Sequence, residues 1–125
     1  MTKAQRLHIV PSRFAVEHLP TATFPEDDEW IALVRAPEGL TMVREAPPWE
    51  RGETWVGFYA GAAAHGLHDA GLLAALVSPL ADASIPVFVA STWHADLVLV
   101  PQERQDEAAA ALRSAGHEIS ESTGA

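Results

Sequence analysis

The chain contains no cysteine. That excludes disulfides, thiol nucleophiles and cysteine-ligated zinc, and it agrees with a reducing compartment. Basic residues are scarce: eight Lys and Arg face seventeen Asp and Glu, for a net charge of −9. Such a surface repels phosphate, and no basic cluster offsets it, so neither nucleic acid nor an anionic membrane is expected as a direct partner. No apolar run approaches the ~20 residues that span a bilayer. The opening Met1-Thr2-Lys3-Ala4-Gln5-Arg6 is not followed by the long apolar stretch of a signal peptide, which makes the cytoplasm the default location. Catalytic motifs are missing too: there is no Gly-x-Ser-x-Gly elbow and no phosphate loop. Ser91, His94 and Asp96 carry the residue types of a triad, but they lie within six residues on one expected hairpin. A single hairpin does not give the geometry of nucleophile, base and orienter. No catalytic residue is assigned, and the chain is expected not to be an enzyme.

What is present is enough apolar residue for a core. The 125 residues are 48% hydrophobic and match the size of one domain. Leu7–Val10 reads as a strand stopped by Pro11, and Arg13–Leu19 alternates as a second. Pro20–Glu29 reads as a loop whose acidic run, Glu26–Glu29, is a solvated face. Trp30–Arg35 and Leu40–Arg44 are strands joined by the turn Ala36-Pro37-Glu38-Gly39, with Gly39 free to take positive φ. Residues 45–53 form a proline-rich linker between two halves of one compact unit.

The second half is expected to run β-α-β-β-α-β, the ferredoxin-like split motif. Its strands are Thr54–Gly61, Ile85–Thr92, Asp96–Val100 and His117–Ile119. Its first helix opens near Asp69, a candidate N-cap. That helix packs through Leu72, Leu73, Leu76, Val77 and Leu80, with Pro79 bending or shortening it. Its second helix spans Gln102–Ala115 and stops at Gly116. The division expected is an N-terminal lobe with linker over 1–53, a C-terminal domain over 54–119 and a flexible tail over 120–125. Trp30, Trp49 and Trp55 are expected as core or dimer contacts.

Six histidines invite a metal reading, with His65-Gly66-Leu67-His68-Asp69 and His94-Ala95-Asp96 as the groups to consider. Neither spacing is a recognised metal signature, so no metal site and no cofactor are assigned. Two turns carry more weight: Asp69-Ala70-Gly71-Leu72-Leu73 opens a helix, and Ser91-Thr92-Trp93-His94-Ala95-Asp96 joins two strands. In a β-α-β-β arrangement both lie at one end of the sheet. Helix-end N–H groups would then face a carboxylate, which suits a small zwitterion, its carboxylate on the helix and its ammonium on Asp96.

The residues around these turns resemble an ACT domain. More narrowly, the chain is similar to small bacterial ACT proteins related to the cytosolic arginine sensors. Their Arg-Thr-Pro-x-Glu-Leu-Ser-Ile-Val pattern stands here as Arg35-Ala36-Pro37-Glu38-Gly39-Leu40-Thr41-Met42-Val43. Their Ser-Thr-Phe/Tyr-Asp-Thr-Asp signature stands as Ser91-Thr92-Trp93-His94-Ala95-Asp96. The resemblance covers roughly residues 7–119 and implies an α+β fold: a ferredoxin-like C-terminal ACT domain packed with an incomplete ACT-like N-terminal half. It implies amino-acid binding at Thr41, Met42, Asp69, Ala70, Gly71, Thr92, Trp93, Ala95 and Asp96. It further implies a homodimer and output through a separate regulated protein. The departures make the expected pocket more apolar: Ala95 stands for threonine, and Trp93 for a smaller aromatic. A homo-oligomeric interaction protein that has lost its ligand is the alternative.

Overall fold

The structure, a computed structural model, describes residues 4–20, 30–60, 71–93 and 95–121. Its strands are β1 (Arg6–Leu19), β2 (Trp30–Ala36), β3 (Gly39–Glu45), β4 (Trp55–Ala60), β5 (Phe88–Ser91), β6 (Asp96–Pro101) and β7 (Glu118–Glu121). The helices are α1 (Leu72–Asp82) and α2 (Gln105–Ser114), the latter preceded by a 3-10 turn at Gln102–Arg104. All seven strands share one sheet in the order β2-β3-β1-β4-β6-β5, with β7 also on β1. Among the described residues only the β1–β7 pair is parallel.

The expected break at Pro11 does not occur, and β1 is one strand of 14 residues. Its pairing explains how it passes through the proline. On one edge, Arg6–Ile9 pairs with β7 and Phe14–Leu19 pairs with β3. Residues 10–12 fall between these two neighbours. On the other edge, the register with β4 shifts between Ile9↔Phe58 and Arg13↔Val56, so Val10, Pro11 and Ser12 oppose the single residue Gly57. Pro11 therefore sits where neither ladder asks for an N–H, the position a strand proline needs. The shift is by an even number of residues, so the strand keeps its faces across the bulge.

This long strand also alters the expected topology. The C-terminal half does follow the order β4-α1-β5-β6-α2-β7. In the split motif its last strand would lie beside its first, but here β1 stands between β4 and β7. The two halves are thus joined in one sheet by a strand that belongs to both, rather than packed as a complete module against an incomplete one.

The sheet is apolar on both faces. Against the helices lie Leu7, Phe58, Ala60, Val98 and Val100, meeting Leu76 and Leu80 of α1 and Ala108 and Leu112 of α2. Burying a Leu or Phe of this kind contributes about 1.5–3 kcal/mol. On the opposite face Phe14, Val43 and Leu99 are buried, with Trp55, Phe88 and Leu97 packed around them. Gly57 makes room there. A Cβ at that position would lie 2.9 Å from Leu97 Cδ1 and 3.3 Å from Phe14 Cε2.

Local signals explain the turns. Gly39 opens β3 at φ 132°, and a Cβ on it would stand 2.3 Å from the Leu19 carbonyl oxygen. The N-cap position of α1 is Gly71 at φ 85°, and among the described residues no side chain caps the helix. Asp69 itself lies outside the described residues. Helix α1 runs on through Pro79 to Asp82. Helix α2 ends before Gly116 at φ 99°, as expected. Strand β7 continues through Ser120 and Glu121. Trp49 is 78% exposed, so it is not a core residue of the chain.

Candidate functional site

One end of the sheet gathers the ends of several strands and the opening of α1. Strand β4 ends at Ala60, whose ladder partner is Asp96, and Asp96 in turn pairs with Ser91 at the end of β5. One residue pair inward, Tyr59 is the partner of His8 on β1. Three residues before His8, the Gln5 side-chain amide donates to the Leu72 carbonyl at 2.8 Å. That bond places the first residue of α1 at the same end as Asp96.

Asp96 is the buried acid of this end, at 5% exposure. Val98 and Val100 face the helices, so strand alternation puts Asp96 on the same side, beneath the layer that α1 enters. Its Oδ1 accepts the Ser91 hydroxyl at 2.7 Å. A buried carboxylate is tolerated only when such partners satisfy it. Beyond it the hairpin is closed locally. Thr92 N–H donates to the Ala95 carbonyl at 2.7 Å, and Ala95 N–H donates to Thr92 Oγ1 at 3.0 Å. Thr92 is thus committed to its own turn. Ala95 is fully buried, and the turn carries Trp93 outward at 68% exposure.

The structure groups Gly71, Thr92, Trp93, Ala95 and Asp96 at this end of the chain. Asp69 and Ala70 lie outside the described residues. Thr41 and Met42 are elsewhere: they pair with His18 and Glu17, near the far end of β1. From His8 to His18 is ten residues of strand, on the order of 30 Å at the usual rise. Within one chain they do not approach Asp96. Met42 is also 2% exposed, with its side chain already in the interior.

His117, expected only as the first residue of the last strand, proves to be a fixed part of this end. It is 3% exposed. Its Nδ1 accepts the Gln5 backbone N–H at 3.1 Å, and its Nε2 lies 2.8 Å from the Ala75 carbonyl. A backbone N–H can only donate, so Nδ1 is the acceptor and the proton sits on Nε2. Gln5 and His117 together fasten the first turns of α1 to β1 and β7. An isolated histidine before a short strand gives no sequence signal of this role.

Metal ligation gains nothing from these residues. Among the described residues no group of three or more His, Asp or Glu side chains is placed to hold an ion. His65, His68 and His94 lie outside them. Among the described residues no helix is long and apolar enough to cross a membrane.

Two solved structures have the same fold. A protein of Agobacterium tumefaciens, Atu0741, superposes with a TM-score of 0.79 at 22% identity, covering 96% of this chain and 95% of its own. A protein of unknown function from Vibrio cholerae, VC0802, described as a possible transport protein, gives 0.73 at 23% identity, covering 95% and 92%. No curated protein matches significantly. The family model of the ACT domain matches residues 50–114, from the end of the linker to the last residue of α2. That is more than half of the chain and includes every element that builds the Asp96 end except β1 and β7. ACT domains are in general non-catalytic regulatory modules for small ligands, and this chain belongs to the ACT domain family.

Proposed function

We propose that the chain is a non-catalytic sensor of a free amino acid or similar small zwitterion, acting through a partner protein. The observation that carries this reading is Asp96, a buried carboxylate at the end where α1 opens, which accepts a short hydrogen bond from the Ser91 hydroxyl. An ammonium there would exchange bulk water for a charge-assisted hydrogen bond. The ligand carboxylate would sit on the N–H groups at Asp69, Ala70 and Gly71, where the helix dipole favours an anion. Trp93 would cover it from the hairpin.

Thr41 and Met42 enter this reading only from a second copy, since they stand on the order of 30 Å away along β1. We therefore infer a homodimer in which the far end of one chain meets the Asp96 end of its partner. The similarity to arginine sensors makes a cationic amino acid the first ligand to try. A competing reading is a homo-oligomeric interaction protein without a ligand. The exposure of Val34 (52%) and Ile31 (46%) on edge strand β2 favours it.

A thermal-shift screen against the common amino acids tests the first reading. A ligand at 100 times its dissociation constant adds about 2.7 kcal/mol. For a chain of this size that is a rise of several degrees. A selective rise that Asp96→Ala removes supports the sensor. A flat panel, with self-association in sedimentation, favours the interaction protein.

A further inference from the structure

The opposite end of the sheet carries a groove that the sensor reading does not use. It has two adjoining cavities of about 380 and 390 Å³ that share Thr54 and Gln102. Each falls within the range of small-molecule sites, roughly 300–1,000 Å³. The first is walled by Arg13 and the proline-rich linker, with Pro47 and Pro48. The second is walled by Glu53 and Glu103. Among the described lining residues Arg13 is therefore the one cation, with Glu50 beside it accepting the Gly52 N–H at 2.9 Å, and the other end is acidic.

Its floor is a braced pair. Gln102 N–H donates to the Thr54 carbonyl at 2.9 Å, and the Thr54 hydroxyl donates to the Gln102 side-chain carbonyl. This leaves the Gln102 NH2 group without a hydrogen-bond partner among the described residues. Arg13 likewise forms no ion pair among them, although acids outnumber bases two to one. The bulge at Val10–Ser12 and the bond from Ala46 N–H to the Arg13 carbonyl at 2.8 Å fix the backbone from which that arginine projects.

We propose that this groove is a second small-molecule site, for an extended zwitterion with well-separated charges. Its carboxylate meets Arg13 and the Gln102 amide, and its ammonium meets Glu53 and Glu103. The spacing sets the ligand class. Arg13 is on β1, while Glu103 follows β6, with β4 between them. Two strand spacings are about 10 Å, too far for the adjacent charges of an α-amino acid head group alone. An ω-amino acid, a basic amino acid lying lengthwise or a short peptide spans it. The groove is open, so binding is weak and salt-sensitive.

The probe is δ-aminovalerate, titrated into the labelled full chain and followed by amide chemical shifts. Glycine, valerate and pentylamine serve as controls that lack the separation or one of the charges. The expected result is shifts at Arg13, Thr54, Gln102 and Glu103 with δ-aminovalerate, weakened about tenfold by Arg13→Gln and by Glu53→Gln. Both substitutions are at exposed positions and leave the fold intact. Asp96→Ala, which tests the sensor reading, leaves these shifts unchanged. The proposal is overturned by an absence of shifts in the groove, by equal shifts with valerate, by shifts confined to Gly71 and Asp96, or by full binding in Arg13→Gln.

Discussion

The Nε2–H of His117 donates to the carbonyl of Ala75 at 2.8 Å. Ala75 is four residues before Pro79, so its carbonyl is the one that a non-proline residue 79 would bond within the helix. Proline has no N–H to offer. The histidine replaces the missing donor from outside α1, which is how the helix passes through Pro79 and ends three residues later. The backbone N–H of Gln5, on Nδ1, holds the tautomer that makes this possible.

Replacing His117 by Ala strands a buried carbonyl and a backbone N–H, at a cost of about 2–4 kcal/mol. In a Pro79→Ala background the new N–H of residue 79 takes over the Ala75 carbonyl. The cost of His117→Ala should then fall by about 1 kcal/mol or more. Urea denaturation of the four proteins measures this coupling. Additive losses would show that the histidine does not stand in for the proline's missing donor.

The two helices and most of the strands were legible because their signals are local: apolar periodicity in α1, alternation along Arg13–Leu19, a branched apolar run in β6, glycines at the turns. The histidine relay was not, because it joins residues 5, 75 and 117, and neither Gln5 nor His117 differs in type from an ordinary surface residue. Pro11 misled for a related reason. A proline stops a strand only where its N–H is needed, and that depends on where β3 and β7 end. The distance between Thr41 and Asp96 was equally hidden. A break at Pro11 would let the two halves pack side by side, whereas an unbroken β1 holds them apart. The Asp96 end itself was legible through two turns that open or close regular elements.

Glycines 39 and 71 both have positive φ, yet their substitution should differ in cost. Around Gly71 nothing among the described residues lies within 4 Å of an added Cβ. Gly71→Ala carries only the left-handed backbone penalty, about 1–2 kcal/mol. At Gly39 the Cβ would meet the Leu19 carbonyl at 2.3 Å. Relief requires β1 and β3 to separate at their turn end, so Gly39→Ala should cost about 3 kcal/mol or more. Equal losses in chemical denaturation would contradict the tight approach of Gly39 to Leu19.

Acid should weaken the start of α2 through Glu107. The hydrogen bond from Arg104 holds its carboxyl below the usual carboxylate range, against a smaller opposing desolvation. The contact is 2.9 Å, between side chains that are both in part exposed. A carboxyl lowered in the folded state stabilises above its unfolded value, and this contribution is lost as pH falls through the folded one. Glu107→Gln should therefore lower stability slightly at neutral pH and not at all in strong acid. The difference should shrink in high salt. A gap between variant and parent that persists at the acid limit would mean that Glu107 acts by packing rather than by charge.

Ser91 and Asp96 allow the structural and ligand roles of the carboxylate to be separated. The hydroxyl donates to Oδ1 at 2.7 Å from the exposed end of β5. Ser91→Ala removes one hydrogen bond and costs about 1 kcal/mol. It leaves the negative charge of Asp96 in place and frees an acceptor for an incoming ammonium. Asp96→Asn keeps the size of the side chain but removes the charge. If Asp96 receives a ligand cation, Ser91→Ala loses stability yet keeps or gains affinity, while Asp96→Asn loses affinity by about tenfold or more. If Asp96 only closes the β5–β6 hairpin, both variants lower the melting temperature and neither changes the response to any amino acid. Calorimetric titration of the two variants, with whichever amino acid raises the melting temperature of the parent, decides between these outcomes. A purely structural role cannot make affinity depend on one partner of this hydrogen bond and not on the other.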